Sequence, residues 1–201
     1  MVQRGLLVVA GSTLSSVCYA VTIRAHLGLG PLFVVQDGLA RRTGISIGTS
    51  VTITGLAFVV LALAFATRPG PGTLVLPFLG GATLNAVLPW IPNFSGIALR
   101  LLLVVLATLL MALGGAMVIR AAIGVAAYDL VMIAACKLFK RKVGPVRLVM
   151  ELSMLTCGWL LGGAVGVGTV ITGLLIGPSM QFWLRRLGVT AFTAAAPSTQ
   201  R

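Results

Sequence analysis

Three carboxylates, Asp37, Asp129 and Glu151, share this chain with 15 Lys and Arg residues and one His. Any acid, base or ion chemistry must therefore run through very few side chains. Asp37 stands four residues before Arg41, one helical turn away on the same face, which makes a local ion pair its plainest role. Glu151 stands four residues after Arg147 and invites the same reading. It also lies deeper in an apolar run, where an ionisable group is costly and is commonly kept for function, so it is the candidate for proton coupling. Asp129 has only the more distant Lys137 within its own segment. It has the strongest functional claim of the three acids, beside a plain structural role as a hydrogen-bonded carboxylate.

Arg24 and Arg120 are the basic residues of greatest interest. Each is followed four residues later by a glycine, Gly28 or Gly124, and then by a short apolar segment. A helix beginning at such a break presents unpaired N–H groups and the positive end of its dipole, which favour anions. The expectation is that Arg24, Arg120, Gly28, Gly124 and Asp129 form one central substrate site, the two arginines lining a vestibule for a polar or anionic solute. Interfacial snorkelling is the commoner role for an Arg at a membrane helix end and stands as the plainer account. His26, the sole histidine, reads as a polar interface residue. No acid pair, no nucleophile with its base and no ligand cluster is present, so neither an enzyme mechanism, a cofactor nor a metal is expected. Cys18, Cys136 and Cys157 lie in apolar runs at no ligand spacing and read as core residues.

The elements that must hold these groups follow from composition. With 58% apolar and 9% charged residues, the chain cannot cover a soluble domain with polar side chains, so it is an integral membrane protein whose partner is the lipid bilayer. The net charge of +12 falls mostly between apolar runs, as the positive-inside rule requires, and does not imply nucleic acid. A small-molecule solute and a homo-oligomer remain compatible partners. Residues 1–20 imitate a secretory signal. Their counterpart at 97–119 is internal, which argues for a permanent helix.

That counterpart exists because the chain reads as two copies of one unit. At a constant offset Arg24 matches Arg120, Gly28 matches Gly124, Gly48 matches Gly144, Gly70 and Gly72 match Gly166 and Gly168, Thr73 matches Thr169, and Gly81 matches Gly177. An internal duplication in an apolar chain is characteristic of membrane transport folds. The expected fold is all-α, with two tandem repeats, 1–96 and 97–187, and a disordered tail at 188–201. Each repeat holds three long helices and one short broken helix. In the first copy these are 5–23, 32–42, 47–66 and 73–88, and in the second 99–119, 125–139, 146–161 and 169–184. The glycines before Thr73 and Thr169 read as tight turns, lacking the strand and Lys of a phosphate-binding loop. Gly158, Gly162 and Gly166 read as close helix packing.

Whether the short segments cross decides the topology. Eight crossings divide the 15 basic residues 12 to 3, and six divide them 11 to 4, with the amino terminus cytoplasmic in both. Only eight put both basic loops, Arg41-Arg42 and 137–142, on the cytoplasmic side. The expectation is therefore eight segments with parallel repeats, six full crossings being the alternative.

The chain resembles the YczE family of small bacterial membrane proteins, related to the YitT-type proteins, over roughly residues 5–187. The resemblance is carried by Ala25-His26-Leu27-Gly28-Leu29-Gly30-Pro31, by Thr43-Gly44-Ile45-Ser46-Ile47-Gly48-Thr49 and, most specifically, by the run 158–169 from Gly158-Trp159 through Gly166-Val167-Gly168-Thr169. Family members usually continue the first motif with Trp-Asp. Here Leu32-Phe33 stands in that place, while the second copy keeps an aromatic-acid pair, Tyr128-Asp129. The resemblance implies a multi-pass protein of the bacterial inner membrane and supplies no substrate. The expected function is a small secondary transporter or permease with both termini cytoplasmic, the alternative a non-transporting membrane accessory protein.

Overall fold

The computed structural model describes residues 2–65, 67–141 and 143–189. The expected tail therefore lies, from residue 190 onward, outside the described residues, as does Lys142 of the second basic loop. Among the described residues the chain is all-helical: α1 Val2–Ala25, α2 Pro31–Thr43, α3 Ile47–Ala64, α4 Pro71–Val87, α5 Ile97–Ala121, α6 Ala127–Phe139, α7 Val143–Leu160 and α8 Val167–Arg186, with one 3-10 turn at Leu88–Trp90. Several ends have a local cause. Pro31 and Pro71 open α2 and α4 in the first turn, where a missing N–H costs nothing. Ser46 caps α3 by accepting the Thr49 N–H. Gly44 closes α2 in the left-handed conformation.

Five helices, α1, α3, α4 with its 3-10 extension, α5 and α8, are long and apolar enough to cross a bilayer. The sixth long helix, α7, carries Arg147 and Glu151 in its interior. The 13-residue α2 and α6 rise only about 20 Å each.

Side-chain contacts fix the direction of every long helix. Gly11 of α1 abuts Gly114 and Val118 of α5 while Ser15 reaches the Met111 carbonyl at 3.5 Å, so these two central helices are antiparallel. Helix α4 runs with α1, since Ser16 donates to the Gly80 carbonyl at 3.2 Å and Arg24 to the Leu88 carbonyl at 3.0 Å. Helix α3 runs against α4, because the Gly48 N–H donates to Asn85 Oδ1 at 3.0 Å and the Thr52 hydroxyl to the Pro77 carbonyl at 3.1 Å. Helix α8 runs with α5, matching Thr108 to Thr172 and Gly115 to Met180. Helix α7 starts against α6, where Val146 joins Met132 and Cys136, and ends against α2, where Gly158 meets Val34.

The long helices thus alternate in direction, and α2 and α6 each start and finish at one end of the bundle. This corrects the expected topology. The short segments do not complete a crossing, α5 and α8 run opposite to α1 and α4 rather than parallel to them, and the Arg41-Arg42 loop lies at the opposite end from Lys137, Lys140 and Arg141. Charge counting failed for a physical reason. The rule counts Lys and Arg alone, and divisions of 12 to 3 and 11 to 4 are too alike to choose between the two topologies.

Candidate functional site

Because α1 and α5 are antiparallel, the predicted site residues divide between two ends. Arg24 and Arg120 each stand nine residues beyond the Ser15–Met111 contact, in opposite directions. They are therefore separated by about 27 Å along the bundle. The single vestibule expected for both does not form. Arg24 is half-buried, and its Nε, enclosed by the protein, finds no hydrogen-bond partner among the described residues. Arg120 is exposed.

At the first end, the Arg24 end, Gly28 adopts φ +97° and lies against Gly166 and Thr169, so close that a β-carbon would collide with backbone. The Leu27 carbonyl accepts from the Gly168 N–H at 2.6 Å, and the Leu29 N–H donates to the Ala164 carbonyl at 3.1 Å. Asp37 is buried. Its Oδ2 accepts both from Arg41 and from the Ala164 N–H, each at 2.8 Å. The local pair expected of Asp37 is present, and the same oxygen also pins the α7–α8 loop 127 residues away. Gln36 is buried beside it, its amide donating to Thr54 at 3.1 Å while its backbone carbonyl accepts from Ser50 at 2.5 Å. His26 is exposed and faces Asn93 at 3.4 Å.

At the second end Gly124 lies against Gly72 and Thr73. The Gly72 N–H donates to the Ile123 carbonyl at 3.2 Å and the Thr73 hydroxyl to the Val125 carbonyl at 2.7 Å. These contacts repeat those of Gly28 with Gly166, Gly168 and Thr169 at the same residue offset. The reason is chemical. An α4 or α8 that begins with glycines lets an extended strand of the other half lie on its first turn.

Just inside this second end lie the remaining acids, Asp129 on α6 and Glu151 on α7. Arg147 Nε donates to Glu151 Oε1 at 2.8 Å, with both side chains more than two-thirds covered. Helix α6 packs on α7 here, Met132 clustering with Val146 and Met150, which sets Tyr128 and Asp129 on the helix next to the one that carries this pair. Asp129 is half-buried in the first turn of α6, where the helix dipole favours a carboxylate, and makes no ion pair among the described residues. The Tyr128 hydroxyl is buried without a partner among the described residues, and its ring stands edge-on to Phe58 at 5.5 Å. The Arg147–Glu151 pair, Asp129 and the Tyr128 hydroxyl are thus the ionisable and polar groups that α6 and α7 carry toward this end. Sequence spacing had not joined α6 to α7 here, because 18 residues and a turn separate Asp129 from Arg147.

Two prominent surface hollows lie elsewhere. One, of about 370 Å³, is lined by Pro178, Gln181, Phe182, Arg185 and Arg186. The other, of about 610 Å³, is lined by α3, α6 and the residues after α3, among them Arg68 and Lys137. None of Arg24, Arg120, Gly28, Gly124, Asp129 or Glu151 lines either.

Known proteins place the chain in a membrane lineage. It is 32% identical to an uncharacterized protein of Haemophilus influenzae over 166 residues, covering 81% of this chain and 74% of that protein. It is 28% identical to the uncharacterized membrane protein YczE of Bacillus subtilis over 163 residues, covering 79% and 74%. No solved structure matches it. Residues 2–185 match a family of unknown function, DUF6198. The chain therefore belongs to the DUF6198 family, and its likeness to the membrane protein YczE agrees with its apolar, all-helical fold.

Proposed function

We propose that the protein is a small secondary transporter of the bacterial inner membrane, built from two inverted repeats and carrying a small polar or anionic solute. The observation that carries this reading is the antiparallel pairing of α1 and α5, with a short broken segment, α2 or α6, folded in at each end of the bundle. Inverted halves with discontinuous helices are the usual construction of alternating-access carriers, because exchanging the conformations of the halves exchanges the open side. With six crossings the basic residues divide 11 to 4. That division makes the end at which α1 begins and α8 finishes, which also carries Asp129 and Glu151, cytoplasmic. The group at Tyr128, Asp129, Arg147 and Glu151 is the coupling site in this reading, with Glu151 the proton carrier.

The test is uptake of a panel of small solutes into proteoliposomes under an imposed pH gradient. A carried solute should be lost by about tenfold or more in Glu151→Gln, while the purified variant stays folded by size-exclusion profile and thermal unfolding. Uptake unchanged in a folded Glu151→Gln protein rejects the proton role. No solute moved by the folded natural chain rejects the transporter. A second reading, a non-transporting accessory protein, is favoured by the wide separation of Arg24 and Arg120, and it takes over if that panel is negative.

A further inference from the structure

Positions that correspond between the two halves are in different states at one place, where α3 meets α4 and α7 should meet α8. The first pair is closed. Gly48 and Gly81 touch backbone to backbone, the Asn85 amide oxygen accepts the Gly48 N–H, Thr52 reaches the Pro77 carbonyl, and Pro77 seats on Gly55. The second pair is apart, α7 and α8 making no extended contact along their lengths. Gly144, Gly173 and Gly177 have open space where a β-carbon would stand. Leu148 is 58% exposed, and α7 buries only Val146 and Gly158.

The parts of the same joint are nonetheless present in α7 and α8. At the matching offset Gly144 and Gly177 replace Gly48 and Gly81, and Gln181 replaces Asn85, again an amide. At the Gly55–Pro77 contact sizes are exchanged, for Glu151 stands opposite Gly173. A large group on α4 entering a notch on α3 becomes a large group on α7 facing a notch on α8. Glycines that merely tolerate lipid would not need an amide one turn beyond them on the same stripe, nor a vacancy opposite the one carboxylate.

We infer that α7 and α8 close on each other as α3 and α4 do, Gly144 against Gly177, with the Gln181 amide accepting the Gly144 N–H and Glu151 entering the space left by Gly173. The structure is then the state with the α3–α4 joint shut at the Arg24 end and the α7–α8 joint open at the end where α1 begins and α8 finishes. Its counterpart has α7–α8 shut. Closure of this joint does not depend on a solute being carried, so it stands or falls separately from the transporter reading.

Nitroxide pair distances in lipid nanodiscs test it, in a chain with Cys18, Cys136 and Cys157 replaced by Ala whose thermal unfolding matches the natural protein. The pair Val149→Cys and Phe182→Cys reports on α7–α8, and the corresponding pair Ile53→Cys and Ala86→Cys reports on α3–α4. All four positions are exposed. The α7–α8 pair should show a long distance and a second, shorter one coinciding with that of the α3–α4 pair. Adding Gly177→Leu, at a site where the open state has room for it, should remove the shorter distance. Gln181→Ala should reduce its population by about fivefold, as the loss of one ordinary hydrogen bond does. A single long distance in the α7–α8 pair overturns the proposal, as does a short one that survives Gly177→Leu.

Discussion

Asp37 shows how much one side chain can be asked to do in an apolar interior. Its carboxylate sits where a charge could not stay unpaired, and one oxygen satisfies both a guanidinium on its own helix and a backbone N–H in the loop before α8. Replacing it with Asn keeps an acceptor and gives up the charge. Replacing it with Ala orphans the Ala164 N–H as well. Thermal unfolding in detergent should therefore fall in the order natural chain, Asn, Ala, with Ala costing about 1–3 kcal/mol. Equal losses for Asn and Ala would mean that the link to Ala164 contributes nothing. The i,i+4 spacing made the Arg41 partner legible from sequence. The Ala164 partner was not, because a backbone N–H carries no mark in the sequence and this one comes from the far end of the chain.

Among the helices, glycine has two meanings that composition cannot separate. Gly48 and Gly81 are closed against each other, and a β-carbon on either meets backbone. Gly144 and Gly177, their counterparts, meet nothing. Gly81→Ala should push α4 off α3 and destabilise the protein by roughly 1–3 kcal/mol, the usual cost of overpacking. Gly177→Ala should be neutral or slightly stabilising for this state, since Ala is the better helix former by up to about 1 kcal/mol. Paired melting curves of the two variants check this. A loss at Gly177 as large as that at Gly81 would show that α7 and α8 already touch in the resting protein. The helix boundaries themselves were readable to within a few residues, because Pro31, Pro71, Ser46 and Gly44 are local stop and start signals whose physics involves only their neighbours.

For the molecule as a whole, six alternating long helices put the loop after Arg42 and the loop after Arg141 at opposite ends. Reporter fusions at those two positions should therefore report opposite sides of the membrane, and a fusion after Leu187 should agree with the one after Arg141. Two cytoplasmic signals at Arg42 and Arg141 would restore the parallel arrangement with eight crossings. The inverted arrangement also explains why Arg24 and Arg120, equivalent in sequence, cannot share a ligand. Symmetry about an axis across the bundle sends equivalent helix ends to opposite ends of it.

Composition alone determined that this chain lives in a bilayer, since no arrangement of its apolar residues could hide them from water. The periodic recurrence of Arg, Gly and Thr placed four helices in each half, and spacing paired Asp37 with Arg41 and Glu151 with Arg147. These are local facts, set by one turn of helix or by total apolar content. Only the tertiary structure decided the direction in which the long helices run, the packing of α6 on α7, and the difference between a closed α3–α4 and an open α7–α8. Each of those depends on which long-range surfaces approach most closely. Glycine-to-backbone contacts such as Gly11 on Gly114 and Gly28 on Gly166 make that choice, and even where such glycines recur in the sequence nothing in it says which backbone each will meet.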